Sequence, residues 1–142
     1  MNKKTLLLAV LIVVLGSAVL AWRFLSGPAE QKVIVTSPQS NEMVSSPLSV
    51  EGQARGNWFF EASFPVLILD ANGQQIGQGI AQAQSDWMTT DFVPFKALIE
   101  FLPSPTEKGE LVLKKDNPSG LAEYDEELRI PVRFKVVEIA VV

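Results

Sequence analysis

A chain of 142 residues, 47% of them hydrophobic, with a net charge of −4 and neither cysteine nor histidine, has room for one domain and an appendage. The missing residue types exclude disulfides, thiolate metal sites, cysteine nucleophiles, and histidine bases or ligands. All 16 acids lie at Glu30 or later, with 9 of the basic residues, so that part carries 9 − 16 = −7 and is poorly suited to nucleic acid or anionic lipid.

Residues 6–22 are apolar apart from Gly16 and Ser17, preceded by Lys3 and Lys4 and closed by Trp22 and Arg23. As a helix this stretch spans roughly 25 Å, close to the hydrocarbon thickness of a bilayer once Thr5, Phe24 and Leu25 are added. Residues 1–25 are therefore expected to form a transmembrane signal anchor in the cytoplasmic membrane. The positive charge ahead of it keeps the N-terminus in the cytoplasm, so the rest of the chain is expected to be extracytoplasmic. A cleaved signal peptide, with Val19, Leu20 and Ala21 before the cut, is the competing reading. Against it, the apolar stretch exceeds the usual core of roughly 7–15 residues and the bulky Trp22 would follow the cut. With no cysteine near that point, lipoprotein processing is excluded. Residues 26–31 are a short, polar linker.

The β-branched stretch 32–36 is expected to be a first, edge strand, ended by the turn formers of 37–41. Pro47 opens the next strand, in which Leu48, Val50, Gly52 and Ala54 face one way and Ser49, Glu51 and Gln53 the other. Arg55, Gly56 and Asn57 break it before the aromatic trio Trp58, Phe59 and Phe60. Residues 64–69 are apolar on both faces, as in a central strand covered on each side, with Pro65 near the start where a missing donor is tolerated. Asn72-Gly73, between this run and 75–83, is a hairpin signal, because both residues tolerate the positive φ of a tight turn. Residues 75–83 are so poor in bulk that something is expected to approach them closely.

Phe95, Ala97, Ile99 and Phe101 share one side of the strand predicted over 92–101, and 103–109 is a loop. A further strand over 110–114 leads into a long loop, 116–126, which holds Asn117, Pro118, Ser119 and Gly120. The last strand, 127–135, points Leu128, Ile130, Val132 and Phe134 inward. No stretch after residue 30 keeps a 3.6-residue period. About seven short strands bounded by Gly, Pro and Asn predict an all-β, immunoglobulin-like two-sheet β-sandwich over 32–135. The apolar tail, 136–142, is expected to extend the final strand or to pair with another chain.

Val35-Thr36-Ser37-Pro38, Ser46-Pro47-Leu48-Ser49-Val50-Glu51-Gly52 and Ala54-Arg55-Gly56-Asn57-Trp58-Phe59-Phe60-Glu61 are followed by Asp86-Trp87-Met88, Phe92-Val93-Pro94-Phe95, Lys115-Asp116-Asn117-Pro118-Ser119-Gly120 and Ile130-Pro131-Val132. In this order they resemble the immunoglobulin-like domain of bacterial spore germination, over about 32–134. The resemblance implies an extracytoplasmic bacterial module with a sandwich fold and a setting related to germination or sporulation. It brings no catalytic residues with it.

Trp58, Phe59 and Phe60 are expected to plug the core or, alternatively, to offer an aromatic platform to a sugar ring or a partner loop. Immunoglobulin-like topology places the second-to-third-strand loop and the last hairpin loop at one pole. The candidate binding surface there is Asn57, Trp58, Asp116, Asn117, Ser119 and Tyr124. Asp116 and Asn117 are expected in the first place to bond the local backbone and rigidify the loop, and too few oxygen ligands are spaced for calcium. Asp70-Ala71-Asn72-Gly73 lacks the later acid of a calcium loop and is a turn; Asp125, Glu126 and Glu127 form a solvated charge run. The pairs Glu51 with Glu61 and Asp86 with Asp91 raise the alternative of a small glycan hydrolase. The expectation is a binding or scaffolding module of a bacterial cell envelope, not an enzyme and without cofactor. Its partner is an envelope protein or a cell-wall glycan, the latter making it a carbohydrate-binding domain; nucleic acid is not expected.

Overall fold

The computed structural model describes residues 2–25 and 29–136, the side chains of 16–25 excepted. The tail expected to extend the final strand lies, from residue 137 on, outside the described residues. The chain divides into two units, Met1–Gln31 and Lys32–Val142.

The first unit holds one helix, α1, Lys3–Leu25, with no acid in its first turn. Its side chains over 6–15 are apolar and exposed all round, as at Leu7, Leu11 and Val14. Among the described residues no helix is long and apolar enough to cross a membrane. The transmembrane anchor expected over residues 1–25 is thus not shown among the described residues.

The second unit is built from β1 (Val33–Ser37), β2 (Met43–Val44), β3 (Leu48–Arg55), β4 (Ser63–Asp70), β5 (Gln75–Ala83), β6 (Phe92–Phe101), β7 (Lys108–Lys114) and β8 (Glu127–Phe134). Two single 3-10 turns, Gly56–Trp58 and Ala122–Tyr124, interrupt the loops. The strands form one sheet in the order β1-β3-β6-β5-β4-β7-β8-β2, antiparallel except for β2 against β8. Strands β1 and β2 thus sit on opposite edges although only residues 38–42 separate them. Five connecting residues reach no further than ~20 Å. The edges of a flat sheet of this width would lie ~34 Å apart at ~4.8 Å per strand. The sheet must curl until its edges approach.

The predicted two-sheet sandwich of about seven strands is therefore corrected to eight strands, among the described residues, in a single curled sheet. The reason is β5. It pairs with β4 from Gln75 to Gln82 and also with β6, at Gly77 and Gln78 and again at Gln82 and Ala83, so no break divides two sheets. The eighth strand, β2, has two residues and no period to read. The two halves of the curl still face one another across a common interior, where Phe64 of β4 and Phe95 of β6 meet edge to face at 5.0 Å.

Alternation decides what fills that interior. In β3 the buried positions are Leu48, Val50, Gly52 and Ala54, and in β6 they are Val93, Phe95, Ala97 and Ile99. Strand β4 lies centrally, between β5 and β7, but only Phe64, Val66, Ile68 and Asp70 are fully buried, while Pro65, Leu67 and Leu69 are half-covered. Both faces are apolar, but only one has a packed layer over it. Each side chain the size of Phe64, Ile68 or Leu111 contributes about 1.5–3 kcal/mol by its burial.

The Asn72-Gly73 hairpin forms, with only Gly73 of the pair at positive φ (76°). Buried Asp70 organises it: its Oδ1 accepts from the amides of Asn72 (2.8 Å) and Gln74 (3.0 Å). A register shift at Ile68/Leu69 absorbs the odd residue, as a bulge beside a left-handed glycine does. What approaches thin β5 is its neighbour. A Cβ on Gly77 would lie 2.5 Å from Phe101 Cβ and 2.6 Å from the Glu100 carbonyl.

Candidate functional site

Antiparallel pairing brings the ends of β3, β5 and β7 and the starts of β4, β6 and β8 to one pole, so the connections 56–62, 84–91 and 115–126 meet there. Main-chain bonds tie them together. The Gly56 amide donates to the Asp91 carbonyl (3.1 Å), the Ala83 amide to Ala62 (2.8 Å), and the Asp116 amide to Trp58 (3.1 Å). Gly56 lies directly beneath the carbonyls of Trp87 and Thr89, closer than any Cβ would allow. Arg55 caps the start of β6, its guanidinium 4.1 Å above the Phe92 ring.

The expected solvated charge run is corrected: Asp125 accepts from Asn117, Glu127 pairs with Arg129, and Glu126 fastens the third loop. One oxygen accepts from Lys32 Nζ at 2.7 Å and the other from Lys115 Nζ at 3.1 Å, joining the chain just before β1 to the chain just before β8. The Lys32 hydrogen bond holds the Glu126 carboxyl below its ordinary range, with Lys115 assisting and partial desolvation opposing.

Of the aromatic trio, Trp58 and Phe59 enter the core at 3% and 4% exposure, both edge-on to Phe64 with ring centres 5.8 and 5.1 Å away. The Trp58 indole nitrogen is buried with no hydrogen-bond partner among the described residues. Trp58 thus reaches the pole through its main chain only, and the aromatic that faces solvent is Phe60. Phe60 and Ser63 exchange two main-chain bonds (3.0 and 3.1 Å) around Glu61 and Ala62, which hold φ of 49° and 64°. Such a turn favours Asn and Gly, and each L-residue there costs roughly 1–2 kcal/mol.

Asn117 shapes the 115–126 loop. Its Nδ2 donates to the Leu121 carbonyl and to Asp125 Oδ1, both at 2.8 Å, and its Oδ1 accepts from the Ser119 amide and hydroxyl. The Ser119 hydroxyl in turn accepts from the Leu121 amide at 3.2 Å. Asn117 and Ser119 therefore spend their polar atoms inside the loop, as the local-bonding alternative expects, and Tyr124 stands out from it at 52% exposure. Asn57 is exposed and Asp116 half-buried beside it. Of the predicted surface, Asp116 meets Trp58 through its main-chain amide and Asn117 and Ser119 share one network within their loop, while the Trp58 ring lies in the core.

The carboxylate pairs have separate settings. Glu51 faces outward in β3, 3.6 Å from Lys96 Nζ, while Glu61 sits in the pole turn. Asp86 Oδ1 accepts from the Met88 amide, and Asp91 is held through its main chain. Among the described residues no group of three or more acids is placed to hold a metal ion. Where the β5–β6 pairing lapses, an open groove of about 480 Å³ runs from Gln84 of the 84–91 loop along the sheet and is lined by Ser49, Ile80, Gln82, Lys96, Ala97 and Leu98.

Sequence reasoning missed the exposure of Phe60, Met88 and Leu121 and the positive φ of Glu61 and Ala62. Glu-Ala carries no turn signature, so the last had no signal. A countable signal did exist for charge. The three pole loops hold one base and seven acids, 1 − 7 = −6, while the rest of 32–136 holds eight bases and seven acids, 8 − 7 = +1. The negative charge of the β unit lies in its loops at one end.

No curated protein and no solved structure matches the chain. Residues 32–122 match the family model of the immunoglobulin-like domain of bacterial spore germination, from just before β1 into the 115–126 loop. That range stops short of β8, to which the sequence resemblance extends. It covers more than half of the chain, and the protein belongs to this family of immunoglobulin-like domains of bacterial spore germination.

Proposed function

We propose that the protein is a non-catalytic binding or scaffolding module of the bacterial cell envelope. Its N-terminal helix tethers it to the cytoplasmic membrane, and it holds a partner on the loop pole of its extracytoplasmic β unit. The observation that carries this is the pole itself: three loops locked together by main-chain bonds, with Asn57, Asp116 and Tyr124 on their outer side. Rigid loops lose little freedom on binding, so more of the contact energy appears as affinity. The absence of histidine and cysteine from the sequence supports a role without catalysis. A helix apolar all round, following Lys3 and Lys4, supports the tether and its orientation. Family membership supports a germination-related setting.

Two measurements test this. Alkaline phosphatase fused after Val142 should be active, as an exported reporter is; activity of a cytosolic reporter at the same place would overturn the tethered topology. A photo-crosslinking side chain at Tyr124 should capture a partner in intact cells, whereas the same group at Leu98, beside the open groove, should not. Capture at Leu98 alone would move the binding surface off the pole.

A further inference from the structure

Four large apolar side chains on the pole loops take no part in the core: Phe60, Met88, Leu121 and Tyr124 are 42%, 77%, 53% and 52% exposed. Around them are Glu61, Asp86, Asp91, Asp116, Glu123 and Asp125, and the one base in these loops, Lys115, is taken up by Glu126. We propose that the pole docks a cationic polypeptide surface, one that offers Lys or Arg together with apolar side chains. This rests on the reading of the pole as the binding surface.

Charge complementarity selects the occupant. With Lys32 and Arg55, which bond these loops at Glu126 and Thr90, the pole carries −6 + 2 = −4, and that field repels anionic membranes, nucleic acid and polyanionic wall polymers as well as the same pole of a second copy. A neutral glycan gains nothing from acids collected at one end of the unit. A basic protein surface satisfies both features at once: its cations are steered in by the carboxylates, and its apolar groups cover the exposed rings.

The test is selection of random dodecapeptides displayed on phage against the full chain. The enriched peptides should carry net positive charge and at least one aromatic or aliphatic residue. Their binding should weaken several-fold between about 50 and 300 mM salt as the Debye length shortens. Tyr124→Ala and Phe60→Ala should each weaken it by about tenfold. Glu123→Lys should do the same, whereas Leu98→Ala should leave it unchanged. Unaltered circular dichroism would show that the variants fold. Enrichment of neutral or acidic peptides that still depend on Tyr124 would overturn the cationic partner and leave the pole as the binding surface. Enriched peptides indifferent to every loop variant would overturn both, and an empty selection would overturn the cationic partner.

Discussion

Replacing Trp58 separates the two things its indole does. The ring is 3% exposed and meets Phe64 edge-on at 5.8 Å, so Trp58→Ala removes a full core side chain at a cost of about 3–5 kcal/mol. Trp58→Phe keeps most of the ring contact and also removes an N–H buried without a partner. Leaving such a donor unsatisfied costs about 1–3 kcal/mol, comparable to the ~1–2 kcal/mol expected for the smaller ring and the gap it leaves. The phenylalanine variant should therefore lie within about 1 kcal/mol of the parent, and the alanine variant far below it. In a domain of about 100 residues, a loss near 4 kcal/mol lowers Tm by roughly 15–30 °C. Thermal and urea unfolding followed by far-ultraviolet circular dichroism would read both, without relying on the fluorescence of the deleted ring. Equal damage from Phe and Ala would mean that the indole N–H has a partner. An alanine variant as stable as the parent would mean that the ring is not in the core.

Asn117→Ala should cost about 1–2 kcal/mol. It should speed hydrogen exchange at the Ser119 and Leu121 amides by tenfold or more while leaving β4 amides protected; unchanged exchange would refute its role in shaping the loop. Glu126 has a depressed carboxyl in the fold, so its contribution is present above the ordinary 4.5 and is lost as pH falls through its lower folded value. The denaturation midpoint should fall in that acid range, and Glu126→Gln should flatten this part of the profile; an unchanged slope would count against the Lys32 and Lys115 contacts. Gly77→Ala should destabilise by about 1–3 kcal/mol, because its Cβ meets the β6 main chain and Phe101. A neutral result in urea unfolding would show that β5 and β6 are further apart than described.

Strand positions and facing were legible along the chain because the period of two is local: Leu48, Val50 and Ala54, or Val93, Phe95 and Ile99, need no knowledge of their partners to be assigned inward. The Asn72-Gly73 turn, the polar loop over 116–126 and the net charge were legible for the same reason. Three features were decided only by the tertiary structure. That β5 bridges β4 and β6, making one curled sheet of two expected ones, depends on pairing between segments far apart in sequence. That Trp58 turns inward while Phe60 faces solvent depends on the 3-10 turn at Gly56–Trp58 and on Phe64 lying beneath it. And the gathering of dispersed acids at one pole depends on antiparallel strands returning three separate loops to the same end, which no single stretch of sequence encodes.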